Sequence, residues 1–185
     1  MAAGEPGEMW FAVEEKGIQR FRISGAKWDT PLQMPRQNSY FPAMAANTTD
    51  GVLLLANREY GVLDGEKSTS GGLLLYDYRQ NQRSTLQIYQ GLPSNDLMAV
   101  AVEGKIAWVG GRGFVAVVDV PERKVLRIAY VSASRICRIQ LGKAHAWVQI
   151  SCGKEAYPDA GDAWTGVYRL NRSAIEPVVY AANRN

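Results

Sequence analysis

One unit recurs four times along this chain: a short apolar strand, a connection, then a glycine opening a second strand that ends in an apolar or aromatic residue. The glycine-led strands are Gly17-Ile18-Gln19-Arg20-Phe21, Gly72-Leu73-Leu74-Leu75-Tyr76, Gly113-Phe114-Val115-Ala116-Val117 and Gly166-Val167-Tyr168-Arg169-Leu170. Each follows an earlier strand: Met9-Trp10-Phe11-Ala12-Val13, Val52-Leu53-Leu54-Leu55-Ala56, Ile106-Ala107-Trp108-Val109-Gly110 and Ala146-Trp147-Val148-Gln149-Ile150. The glycines are 55, 41 and 53 residues apart. Nearly every apolar run is four to seven residues long, β-branched or aromatic, and closed by Gly, Pro, Asn or Asp, which is the strand signature. Helical spacing is sustained nowhere, so the chain reads as all-β.

Intervals of roughly 40 to 50 residues, with insertions, match the period of a four-stranded propeller blade. Lettering the strands A to D, the third unit runs A at Leu97 to Val102, B at Ile106 to Gly110, C at Phe114 to Val120 and D at Val125 to Val131. The fourth runs A at Arg135 to Leu141, B at Ala146 to Ile150, C at Gly166 to Leu170 and D at Ile175 to Tyr180. In the second, A is about Phe41 to Ala46 and Asp50-Gly51 is the turn into B. The first unit shows only B, C and a D strand around Lys27-Trp28, with no A strand. The expected architecture is therefore a β-propeller of about four blades of four antiparallel strands, at 8–30, 41–90, 97–131 and 135–180. It is either small or part of a larger ring, with open sheet edges that invite self-association.

Composition narrows the function. The chain has 185 residues, 46% hydrophobic, enough to build a core without metal or disulfide staples. It holds 18 Gly, 9 Tyr and 5 Trp against one His, which removes catalytic schemes built on several histidines. The net charge of +3 is spread along the chain, unlike the concentrated basic face of a nucleic-acid binder. No run approaches the roughly 20 apolar residues of a membrane span. The segment Met1 to Glu8 has no basic or apolar signal region. On this chain alone the expected location is cytoplasmic, and periplasmic or extracellular if it belongs to a sensor protein.

Within the third unit, Gly91-Leu92-Pro93-Ser94-Asn95-Asp96, an apolar strand, Ala107-Trp108-Val109-Gly110 and Gly113-Phe114 follow one another. This stretch resembles the repeat of two-component-regulator propellers, the blades of sensor regions in bacterial hybrid signalling proteins. It departs from that repeat at Gly111, where the family usually has Thr. The resemblance covers about 30 residues of one blade and implies a bacterial signalling sensor that binds a ligand or protein partner.

Most chemical motifs have a structural reading. Cys137 and Cys152, placed four residues out of register across a Gly142-Lys143 turn, are about 13 Å apart at strand rise, so free thiols are expected. His145 is alone, and no zinc spacing is present. Gly110-Gly111-Arg112-Gly113 reads as a B–C turn, because a strand rather than a helix follows. Glu155, Asp159 and Asp162 fit no calcium-loop pattern. No metal or other cofactor is expected. Trp10, Trp108 and Trp147 recur on the B strands and read as core, whereas Trp28 and Trp164 fall off the repeat.

The insertions point to a site. In an antiparallel four-stranded blade the B–C and D–A connections leave on one face. The long insertions Asn57 to Gly71 and Ser151 to Thr165 are B–C, and the Pro-bearing segments Pro31 to Pro42 and Gly91 to Asp96 are D–A. Loops gathered on one face of a repeat scaffold are where binding residues concentrate. The candidates are Arg58, Glu59, Tyr60, Asp64, Arg112, Lys154, Tyr157, Asp159 and Trp164. The expected function is a non-catalytic binding or sensing module for a protein, small-molecule or glycan partner. A propeller lyase or hydrolase and a self-assembling half-ring are the alternatives.

Overall fold

The computed structural model describes residues 1–13, 16–32, 41–58, 71–150 and 166–175, with backbone only at 132–134. Strands β1 (Ala2–Ala3), β2 (Glu8–Val13), β3 (Gly17–Arg22) and β4 (Lys27–Leu32) form one antiparallel sheet in chain order. A second such sheet contains β5 (Ala43–Asn47), β6 (Val52–Asn57), β7 (Gly72–Asp77) and β8 (Gln82–Leu86). Then follow β9 (Leu97–Glu103), β10 (Ile106–Asp119), β11 (Lys124–Leu141), β12 (His145–Ile150) and β13 (Gly166–Asn171), in the order β13-β12-β11-β10-β9.

The long elements of this third sheet carry two units. The Val120 amide donates to the Lys105 carbonyl at 2.9 Å, so the two ends of β10 lie side by side and the element folds back on itself. The bend falls at Gly111 to Gly113, and Gly113 has φ of +80°, a conformation costly for a residue with a Cβ. The two arms are the expected B and C strands. In β11 the first half pairs with β10 and the half from Ile136 onward pairs with β12. The D strand of the third unit and the A strand of the fourth, expected to be separate, are therefore one uninterrupted element.

A second correction concerns the first unit, which does have an A strand: Ala2 and Ala3 pair with Trp10 and Met9. Two alanines carry no periodicity that sequence reading can detect. A third concerns the cysteines. Cys137 is disulfide-bonded, and the only other cysteine of the chain, Cys152, lies outside the described residues. The expected register was wrong by two: Ile139 faces Val148, and a bulge at Cys137 sets Ile136 opposite Ile150.

Burial shows how the units associate. Leu53, Leu54 and Leu55 on β6 are all fully buried, so both faces of that strand are covered, and it reads as a continuous apolar run rather than an alternating one. Three cores result. Trp10 and Ile18 of the first unit pack with Leu53, Leu55, Leu74 and Tyr76 of the second. Leu54, Leu73 and Leu75 of the second pack with Val100, Val109 and Phe114 of the third. Trp108, Val115 and Val117 of the third pack with Ile136, Val148 and Ile150 of the fourth. Each large side chain so buried contributes about 1.5–3 kcal/mol. Among the described residues no fourth core joins the last unit to the first.

One Trp expectation fails for this reason. Trp10 and Trp108 are buried, but Trp147 is 46% exposed. On β12 only Ala146, Val148 and Ile150 face a neighbour, and Trp147 occupies the opposite face.

Candidate functional site

The loop entering β9 is built by its own side chains. A single 3₁₀ turn at Ile88–Gln90 ends at Gly91, and Leu92 is buried in the core between the second and third units. Asn95 is 3% exposed. Its side-chain Oδ1 accepts from the Ile88 amide at 2.9 Å, and its carbonyl accepts from the Gly72 amide at 2.6 Å. The Ser94 hydroxyl accepts from the Asp96 amide at 3.0 Å. The segment Gly91 to Asp96 thus plugs a core with Leu92, fixes its backbone with Asn95 and presents the Asp96 carboxylate.

Around that carboxylate the B–C and D–A segments converge. Arg58, just after β6, places Nε 3.2 Å from Asp96 Oδ1, and Arg135 of β11 places Nη2 3.5 Å from Asp96 Oδ2. Arg112, at the bend of β10, is the cross-strand partner of Arg135. Two guanidinium groups therefore hold one carboxylate, and Arg112 stands in register with one of them. Arg58, Asp96 and Arg135 are each about four-fifths buried, whereas Arg112 is exposed. Close by in sequence, Asn57 is buried and its Oδ1 accepts no hydrogen bond.

Of the sequence candidates, Arg58 and Arg112 are brought into one neighbourhood. Glu59, Tyr60, Asp64, Lys154, Tyr157, Asp159 and Trp164 lie outside the described residues, as do Glu155 and Asp162. Asp96 and Arg135 were missed. Asp96 ends the Gly91 to Asp96 motif and was legible as a loop carboxylate, but Arg135 was hidden as the first residue of a strand. Among the described residues no three His, Cys, Asp or Glu side chains are placed to hold a metal ion, and no helix is long and apolar enough to cross a membrane.

The A–B and C–D turns on the opposite face carry ion pairs that join units. Glu5 of the first unit pairs with Arg79 of the second at 2.9 Å, and Glu103 of the third pairs with Arg172 of the fourth. The hydrogen bonds from these arginines hold both carboxyls below their usual range. Within the first sheet, Arg20 does the same to Asp29, at 2.8 Å.

No family model and no curated protein matches the chain. Solved structures do. The computationally designed Ika8 protein superposes with a TM-score of 0.64 at 13% identity, over 95% of this chain and 46% of that one. The computationally designed Ika4 protein gives 0.60 at 12% identity, over 92% of this chain and 90% of that one. The β-propeller domain of Myceliophteria thermophila Cps50 (Swd1) gives 0.61 at 9% identity, over 91% and 57%. The chain thus spans about half the length of the first of these. Four antiparallel units stacked through successive cores, together with these superpositions, establish the β-propeller fold.

Proposed function

We propose that this propeller is a non-catalytic binding or sensing module that engages an anionic group of its ligand or partner on the face where the B–C and D–A segments emerge. The exposed Arg112, in register with Arg135 and next to the Arg58–Asp96–Arg135 ion pairs, carries this reading. Arg112 is the exposed member and the first contact; Arg58 and Arg135, held by Asp96, are preorganised behind it. The resemblance of Gly91 to Asp96 and of Trp108 to Gly110 to two-component-regulator blades supports the sensing half. The disulfide at Cys137 favours an oxidising compartment such as the periplasm or cell exterior.

Binding to arrays of acidic peptides, phosphopeptides and uronic-acid glycans tests the proposal, with neutral glycans as the control. The expected result is selective retention of one anionic class, weakened at least tenfold by Arg112→Glu with unchanged circular dichroism. Retention indifferent to that substitution, or confined to neutral probes, would overturn it.

A further inference from the structure

We infer that two copies of this chain close head to tail into one ring, the outer face of the fourth blade of each packing on the outer face of the first blade of the other. Equivalent positions of the repeat carry the argument. The B-strand position held by Trp10, Leu54 and Trp108 faces the following blade every time and is buried there. In the fourth blade it is Trp147, 46% exposed. At two internal joins the residue six after the C-strand glycine of the following blade covers this tryptophan. Tyr78 stacks on Trp10 with ring centroids 5.0 Å apart, and the Arg172 guanidinium lies 5.6 Å over the Trp108 ring. In the first blade that residue is Ile23, 60% exposed. Trp147 and Ile23 are therefore two halves of a recurring contact, each without its counterpart among the described residues of the single chain.

The surrounding surfaces agree. Met9, Phe11 and Phe21 hold the positions of Leu53, Leu55 and Tyr76, which bury the second blade against the first. They are partly exposed and continue into Trp28, whose ring lies 4.8 Å from Phe21 and 5.2 Å from Phe11. On the fourth blade, Val167 joins Trp147 on the outward face, flanked by Arg138 and Arg169, all exposed. Guanidinium groups beside an aromatic surface are a favourable pairing. Two arcs of four blades also suit the ring arithmetic, since eight blades lie at the upper end of the usual propeller range. A head-to-tail contact that closes gives a finite ring rather than a filament. The seam has Gly142 and Ile23 where the 3–4 join has Glu103 and Arg172, so no ion pair of that kind bridges it and added salt does not loosen it.

Sedimentation equilibrium of the 185-residue chain over micromolar to submillimolar concentration is the test. The expected species has twice the 20.4 kDa mass of one chain, at 0.1 M and 0.5 M salt alike. Trp147→Glu and Ile23→Glu, both at exposed sites, each weaken the dimer at least thirtyfold with unchanged circular dichroism. Mixing the two variants restores a heterodimer, because one seam then contains only native faces. A monomer at all concentrations, a dimer indifferent to both substitutions, open-ended larger assemblies, or failure of the mixture to associate would each overturn the inference. A monomer would assign these faces to another partner or to other blades.

Discussion

The Arg172 guanidinium of the fourth blade lies 5.6 Å over the buried Trp108 ring of the third. The same side chain donates to the Gly142 carbonyl at 2.8 Å and pairs with Glu103. One residue thus closes the rim of an inter-blade core, ties down the turn before β12 and bridges two units. Its long stem adds apolar cover as well as charge.

Arg172→Ala is expected to destabilise the protein by about 1–2 kcal/mol, most of it from the stacked and hydrogen-bonded guanidinium rather than the exposed ion pair. For a chain of this size that is a fall of roughly 3–6 °C in Tm. Arg172→Lys should recover only part of the loss, since an ammonium keeps the charge but not the planar stack. Thermal melts of the two variants decide it; equal melting of Lys and Arg forms would mean that charge alone matters.

Gly110 tests the packing beneath that rim. A Cβ at this position would come 2.7 Å from Ile136 Cβ in the core between the third and fourth blades, and Ile136 is fully buried. Gly110→Ala should therefore cost about 1–3 kcal/mol through overpacking. Removing the facing methyl groups with Ile136→Ala is costly alone, but the double variant should be less destabilised than the sum of the two. Urea melts of the four proteins measure the coupling; strict additivity would show that the two sites do not touch.

The strand order and the B–C turn at Gly111 to Gly113 were legible because tight turns require specific residue types, and those residues announce themselves. The face carrying Arg58 and Arg112 followed from topology alone, since strand direction decides where a connection emerges. Register did not follow. Reading Gly142-Lys143 as a two-residue turn shifted every pair of β11 with β12, and the bulge at Cys137 left no mark in the apolar pattern. Arg135 was opaque for a related reason: its role depends on β11 running unbroken from one blade into the next. The exposure of Trp147 was equally hidden, because a repeated tryptophan carries no sign of whether a following blade is there to cover it.

Acid should weaken the arginine–carboxylate pairs. The carboxyls of Glu5, Asp29 and Glu103 are all held below their usual range by hydrogen bonds from Arg79, Arg20 and Arg172. A group whose folded pKa is depressed contributes stability that is fully present above its unfolded value and lost as pH falls through the folded value. The unfolding free energy should thus be flat for these groups from neutral pH down to about 5 and decline below about 4. Because the pairs at Glu5 and Glu103 are largely solvated, the loss should be small and should shrink further at 0.5 M salt. Chemical denaturation at closely spaced pH values would show it. Stability rising between pH 5 and 3 would contradict the sign.

Cys137 gives the last prediction. Its thiol is taken up in a disulfide, and with Cys152 as the other cysteine of the chain the link spans 15 residues. Closing a loop of that length restricts the unfolded chain by about 3 kcal/mol in the chain-entropy account. For a protein of this size reduction should therefore lower Tm by roughly 6–12 °C. A digest made without reductant should contain one peptide joining the two cysteines, and the native protein should show no thiol that reacts with maleimide. Because Cys137 lies two residues beyond Arg135 on β11, reduction should also loosen the arginine cluster and weaken binding of its anionic ligand. Two reactive thiols in the folded protein, with no change in Tm on reduction, would return both cysteines to the free state that their spacing first suggested.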